Sequence, residues 1–190
     1  AVLVGNLLFR RVGLQVPILS TKFNRQKIQP LMRDFLKVGV ISGITLGIIL
    51  IVISVVSEQV IGSELANSPL SSDLNIMTRL MYGGITEEII MRFGLMTFLV
   101  WIISKISNSK SNAVFLVAIL ISSLLFALGH LPIVYSTVEV VSFGLVTYIL
   151  IGNTVGGLVY GYLYWKKGLE CSMISHMSTH LTFVVANFLF

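Results

Sequence analysis

Long apolar stretches separated by short polar segments run through this chain. Residues 38–57 carry no charge and match the roughly 20 residues that an α-helix needs to cross the hydrocarbon core of a bilayer. Further apolar stretches cover residues 80–104, 113–129, 140–165 and 172–190. The pattern predicts an all-α fold, a polytopic bundle of about five transmembrane helices.

The stretch at residues 140–165 is longer than one crossing requires, and glycines interrupt it. We expect either one tilted span or a broken pair, in which the small residues let helices approach closely. The glycines are Gly144, Gly152, Gly156, Gly157 and Gly161.

The remaining segments predict how the spans are connected. Residues 58–73, which include Glu58, Glu64, Pro69 and Asp73, are expected to form an acidic loop. Residues 1–9 are apolar but too short to cross alone, and we interpret them as the remnant of an earlier span. We therefore predict a basic cytoplasmic arm over residues 1–37 and a single transmembrane domain over residues 38–190.

Composition places the chain in the membrane class. Hydrophobic residues make up 55%, charged residues only 11%, and the mean hydropathy is +0.93, which is outside the range of water-soluble domains. The single cysteine, Cys171, excludes an internal disulfide and a cysteine-rich metal cluster.

The positive net charge of +5 is explained by membrane orientation rather than by nucleic-acid binding. Seven of the 13 Lys and Arg residues lie between Arg10 and Lys37, beside the first span. Basic segments at residues 105–110 and 166–167 alternate with acidic ones around Glu64 and Glu139. The positive-inside rule then predicts a cytoplasmic N-terminal side, and the short loops favour a bacterial plasma membrane.

Ionisable residues inside the apolar stretches are the candidates for chemistry. Such residues are costly in hydrocarbon and usually mark functional sites. The adjacent carboxylates and all three histidines of the chain are among them. The predicted site comprises Glu87, Glu88, Arg92, His130, His176 and His180.

The spacing of the acidic group predicts different roles for its two carboxylates. Residues four apart share a helix face, so Glu88 and Arg92 can form an ion pair, whereas Glu87 points elsewhere. Glu87 is then a candidate general base that activates water, and Arg92 keeps Glu88 charged. The alternative is that all three residues only hold helices together.

The histidines allow two interpretations. His176 and His180 also stand four apart and can address one metal ion or one substrate atom. The zincin motif is not matched, because Met177 follows His176 where a glutamate would be required. His130 lies near the end of its span, before Pro132, and a histidine there can also simply donate to a carbonyl of a neighbouring helix.

Three ordered motifs resemble those of the CPBP family of intramembrane proteases, which groups CAAX prenyl endopeptidases with bacteriocin-processing and immunity-type proteins. The similarity covers about residues 76–190. The motifs are Glu87-Glu88-Ile89-Ile90-Met91-Arg92, Phe126-Ala127-Leu128-Gly129-His130 and His176-Met177-Ser178-Thr179-His180.

The resemblance implies hydrolysis of a peptide bond in a membrane-associated peptide, of prenylated or bacteriocin type. Glu87 would match the water-activating glutamate and His130 its partner, and His176 and His180 would complete the site. Members have been described both as metalloproteases and as glutamate-dependent enzymes. His180 stands where asparagine is common, which favours a divalent metal, zinc, held by the three histidines with Glu87.

A non-enzymatic alternative remains at this stage. Ionisable residues on several helices are also typical of proton relays, so the chain can be interpreted as a membrane scaffold or as a small ion or proton transporter. Against transport, the sequence shows no pair of matched broken helices. The partners expected for the protease are a peptide or protein substrate within the membrane and the lipid bilayer itself.

Overall fold

The computed structural model describes residues 1–20, 25–66 and 75–189, and within these residues the chain is helical with no strand. The helices, in chain order, are α1 (Val2–Val12), α2 (Pro17–Ser20), α3 (Arg25–Ala66), α4 (Ile76–Thr78), π1 (Arg79–Glu87), π2 (Ile89–Met96), α5 (Thr97–Ser107), α6 (Asn112–Leu128), α7 (Leu131–Thr137), α8 (Phe143–Lys167) and α9 (Leu169–Leu189).

Four helical segments of the described residues are long and apolar enough to cross a membrane. They are Ile28–Glu64, Ile76–Ser107, Asn112–Thr137 and Phe143–Lys167. Each covers most or all of one of the first four apolar stretches of the sequence, so the predicted polytopic helical bundle is confirmed.

The last predicted span folds as α9, whose 21 residues are sufficient to cross a bilayer. It is not among the four apolar segments, because serine, threonine and histidine occupy its buried positions. These include Ser172, Ser175, His176, Ser178 and Thr179. Helix α9 therefore presents a polar face to its neighbours inside the bundle.

A glycine row on α3 brings that helix against α9. Gly39, Gly43 and Gly47 repeat every four residues, and a Cβ atom at any of them would overlap atoms of α9. Small residues at this spacing allow transmembrane helices to pack with their backbones close together. Thr179 uses this proximity to donate from Oγ1 to the carbonyl of Gly43, at 3.2 Å.

The glycine-rich stretch forms one continuous helix, α8, so the single-span alternative is the correct one. A Cβ atom at Gly157 would overlap Ser123 of α6, and one at Gly161 would crowd Ile119 of α6. The expected close helix approach is thus made between α8 and α6.

The acidic loop is shorter than predicted. Glu58 and Glu64 belong to α3, which has a kink at Ile61 and ends at Ala66, whereas Pro69 and Asp73 lie outside the described residues. Helix α3 extends because the apolar sequence continues past the charge at Glu58. Glu64 Oε2 accepts a hydrogen bond from the backbone N–H of Ser142, at 3.0 Å, and so joins the end of α3 to the start of α8.

The segment that carries the two adjacent glutamates is wound as π-helix. Helices α4, π1, π2 and α5 follow one another without a loop, and Glu88 is the residue between π1 and π2. The wider i→i+5 turn is rare and occurs often at functional sites. It changes the directions that a regular α-helix would give to side chains along this segment.

Charge divides the two ends of the bundle. One end, called here the basic end, carries Arg10 and Arg11 of α1, the α5–α6 connection and the last residues of α8. Lys110 Nζ donates to the carbonyl of Arg11 at 2.9 Å, which joins two of these segments. The opposite end carries Glu64 and the α7–α8 connection.

Candidate active site

Glu88 lies at the centre of a buried polar cluster. Its carboxylate accepts from Ser172 Oγ at 2.5 Å and from Nδ1 of His176 at 2.9 Å. Arg92 Nε is 3.6 Å from Glu88 Oε2, and both side chains are 0% exposed. The ion pair expected from the four-residue spacing is therefore present, and Glu88 is fully engaged by its neighbours.

His176 stands between the two adjacent carboxylates. Glu88 accepts a hydrogen bond from Nδ1 of His176, while Glu87 Oε2 lies 3.9 Å from Nε2 of the same ring. Since a carboxylate accepts, Nδ1 carries the proton toward Glu88, and in the neutral ring Nε2 presents a lone pair. Both glutamates therefore face the same imidazole, one at each ring nitrogen.

Three rings stack along this part of the cluster. Tyr160 of α8 stacks on His176 with centroids 4.3 Å apart, and His180 stacks on the other side of His176 at 4.9 Å. The interplanar angles are 17° and 16°. The stack fixes the plane of His176 and therefore the directions in which its two nitrogens point.

Arg92 is held by aromatic faces as well as by Glu88. Its guanidinium carbon lies 5.0 Å from the ring centroid of Phe126 and 5.7 Å from that of Tyr160, within the range of a cation–π interaction. None of its three side-chain nitrogens has a hydrogen-bond partner within the described part of the chain. Its charge is therefore balanced by one carboxylate and two π faces.

His130 joins the cluster through Phe126. The Phe126 ring meets the rings of His130 and His176 edge-on. The ring centroids are 4.7 Å apart in the first pair and 6.2 Å apart in the second. Nδ1 of His130 donates to the Phe126 carbonyl at 2.8 Å, so its acceptor lies four residues earlier in the same segment and not on a neighbouring helix. The same hydrogen bond leaves Nε2 as a lone pair in the neutral ring, so the contact also orients this nitrogen for chemistry.

His180 is the least constrained histidine. Neither of its ring nitrogens is accessible to solvent, and neither has a hydrogen-bond partner among the described residues. The ring lies against Gly83 of π1, where any Cβ atom would overlap it. A buried imidazole without a partner is costly, which distinguishes His180 from the two hydrogen-bonded histidines.

The structure brings all six residues singled out from the sequence into one connected cluster. Three contributors were not predicted: Ser172, Tyr160 and Gly83. The sequence does contain an indication for Ser172, because this residue lies four positions before His176 and therefore on the same helix face. Tyr160 and Gly83 had none, since their roles depend on how α8 and π1 pack against α9.

The histidines and glutamates of the cluster are side chains of the type that bind metal ions. In the described residues, no group of three or more His, Cys, Asp or Glu side chains is arranged to hold one. The individual groups are nevertheless of the right type: His130 and His176 each use Nδ1 as a donor and present Nε2 as a lone pair, which is the usual state of metal-binding histidines. The chemistry of the ligands fits zinc, whereas their present arrangement does not converge.

Comparison with known protein families gives one match. The model described as type II CAAX prenyl endopeptidase Rce1-like matches residues 70–182, a range that contains the whole cluster. The comparisons with curated proteins and with solved structures yield no match. The family match favours a protease over the scaffold and transporter alternatives.

Proposed function

This chain belongs to the Rce1-like family of type II CAAX prenyl endopeptidases, and on that premise we propose that it cleaves a peptide bond within the membrane using water activated by Glu87. The family and the apolar helices make it an integral membrane protease. The proposed substrate is a membrane-associated peptide of prenylated or bacteriocin type.

The observation that supports this role is the unequal engagement of the two glutamates. Glu88 is bound by Arg92, Ser172 and His176 and has little freedom to exchange protons. Glu87 is 18% exposed and lies 3.9 Å from Nε2 of His176. That separation is too long for a direct hydrogen bond, and a single water molecule can contact both groups.

The proposed reaction begins when Glu87 takes a proton from this water as its oxygen attacks the scissile carbonyl carbon. The carbonyl electrons move to oxygen and form a tetrahedral oxyanion. When the intermediate collapses, the C–N bond breaks and Glu87 returns the proton to the leaving amine. Glu88 acts as a positioning residue, because it holds the His176 ring through Nδ1.

We assign stabilisation of the oxyanion to His180. Its ring nitrogens are buried and unpartnered among the described residues, and a neutral imidazole carries one N–H. A donor that is desolvated before the reaction stabilises developing charge effectively. His130, which presents Nε2, is proposed as the partner of Glu87 in orienting water.

Replacing Glu87 with Gln tests the proposal. The change keeps the side-chain size and removes the base, so we expect the cleavage rate to fall by about 10²- to 10⁴-fold, the range of general base catalysis. The measurement is the cleavage of a synthetic prenylated CAAX-type peptide by detergent-purified protein, with an unprenylated copy to test substrate class.

Glu139→Gln is the matched control, because Glu139 is an exposed glutamate of the α7–α8 connection. It should cleave at the wild-type rate. Both variants should keep the wild-type thermal unfolding temperature. A Glu87→Gln protein that cleaves at the wild-type rate would contradict the mechanism.

Zinc assistance is a separate proposal, supported by the lone pairs at Nε2 of His130 and His176. These histidines, His180 and Glu87 would hold the ion, which would polarise the scissile carbonyl and acidify water when bound. We expect about one divalent metal ion per purified chain, lost in both His130→Ala and His176→Ala. A metal-free wild type, with both variants folded, would leave Glu87 and the histidines to act alone.

A further inference from the structure

A polar cavity at the basic end of the bundle lies outside the site described above. It forms where α1 and α5 end and has a volume of about 310 Å³. This volume is near the lower limit of about 300 Å³ for small-ligand pockets. Its lining includes Arg11, Trp101, Ser104, Lys105, Ser109 and Lys110.

The charge lining the cavity is of one sign. Three basic side chains and no acidic one contribute to its wall. Lys110 is fixed by its hydrogen bond to the Arg11 carbonyl and retains two further N–H donors. Across the described residues, Arg11 and Lys105 have no carboxylate within ion-pair distance. The cavity is therefore suited to an anion.

Two further groups point to a specific kind of anion. Ser104 Oγ is buried beside the cavity without a hydrogen-bond partner among the described residues, so it is a donor in need of an acceptor. Trp101 also lines the wall, and tryptophan is enriched at the level of lipid headgroups.

We propose that this cavity binds the phosphate of an anionic phospholipid headgroup. Basic pockets between helices at the end of a bundle are suited to such headgroups, and a headgroup reaches this position directly from the adjoining leaflet. The ligand is phosphate bonded to Arg11, Lys105 and Lys110, with Ser104 as an additional donor. The proposal is independent of the proteolytic function, because the cavity and the cluster around Glu88 share no residue.

The test uses the full chain reconstituted in vesicles of phosphatidylcholine with one-fifth phosphatidylglycerol, then released into detergent. Native mass spectrometry measures how many lipids of each kind stay bound. We expect one phosphatidylglycerol to be retained preferentially by the wild type. Lys105→Gln/Lys110→Gln should lower this preference about 25-fold, at roughly fivefold for each basic residue.

Two controls make the result specific. Arg33→Gln/Lys37→Gln removes the same charge from exposed positions of α3 and should keep the wild-type preference. Lys105→Gln alone should lower the preference about fivefold. This single variant keeps the hydrogen bond from Lys110 to Arg11, so it provides the test if the double variant unfolds.

Three outcomes would overturn the proposal. They are equal retention by the wild type and both cavity variants, an equal loss in the Arg33→Gln/Lys37→Gln control, and a wild type that retains no phosphatidylglycerol but binds inorganic phosphate in the cavity. The last result would identify free phosphate as the ligand. Cleavage activity is not part of the readout, so failure here is distinguishable from failure of the proposed protease function.

Discussion

Arg92 and Glu88 show how a pair of charges is kept inside an apolar bundle. Both side chains are fully buried, where isolated ions are costly. Glu88 receives hydrogen bonds from Ser172 and His176, and Arg92 rests on the faces of Phe126 and Tyr160. The pair thereby fixes π2 against α8 and α9 and holds the His176 ring for the chemistry proposed at Glu87.

Replacing Arg92 with Ala should damage stability more than substrate binding. The change leaves Glu88 as a buried charge without its cation, and breaking such a pair costs about 3–5 kcal/mol. We expect a lower free energy of unfolding in detergent, measured by chemical denaturation. Arg33→Ala, at an exposed arginine of α3, is the matched control and should change little. Unchanged stability of Arg92→Ala would contradict this role.

At the scale of single helices, the apolar pattern of the sequence predicted where the helices lie along the chain better than it predicted which helices pack together. The apolar stretches predicted the spans because length and hydropathy are local properties. The glycines of α8 indicated a close helix approach, which is made with α6. The row formed by Gly39, Gly43 and Gly47 was not recognised, although its four-residue repeat is visible in the sequence. It matters most for the site, because it positions α9.

The π-helical winding of residues 79–96 could not be predicted from the apolar pattern. The 3.6-residue period of a regular α-helix predicts that Glu88 and Arg92 share a face, and their ion pair confirms this. The wider turn was missed because it depends on neighbours: Gly83 lies under the His180 ring and Gly84 under the Met177 side chain. These tertiary contacts, which local sequence does not contain, fit π1 against α9 and bring Glu87 to His176.

For the whole molecule, the distribution of charge predicts how the bundle is inserted. The ends of α1, α5 and α8 place lysine and arginine at one end, and Glu64 with the α7–α8 connection lies at the other. This alternation agrees with spans that cross in opposite directions, and the positive-inside rule assigns the basic end to the cytoplasm. The proposed lipid cavity would then face the anionic cytoplasmic leaflet.

Cysteine labelling in intact bacterial cells tests this orientation. Cys171 is 0% exposed, so the unmodified chain should give no background with a membrane-impermeant maleimide. Single cysteines introduced at two exposed positions, Glu139 and Ser111, report on opposite ends of the bundle. We expect Glu139→Cys to be labelled in intact cells and Ser111→Cys only after permeabilisation. Labelling in the reverse order would invert the topology and move the basic end, with its cavity, to the outer face.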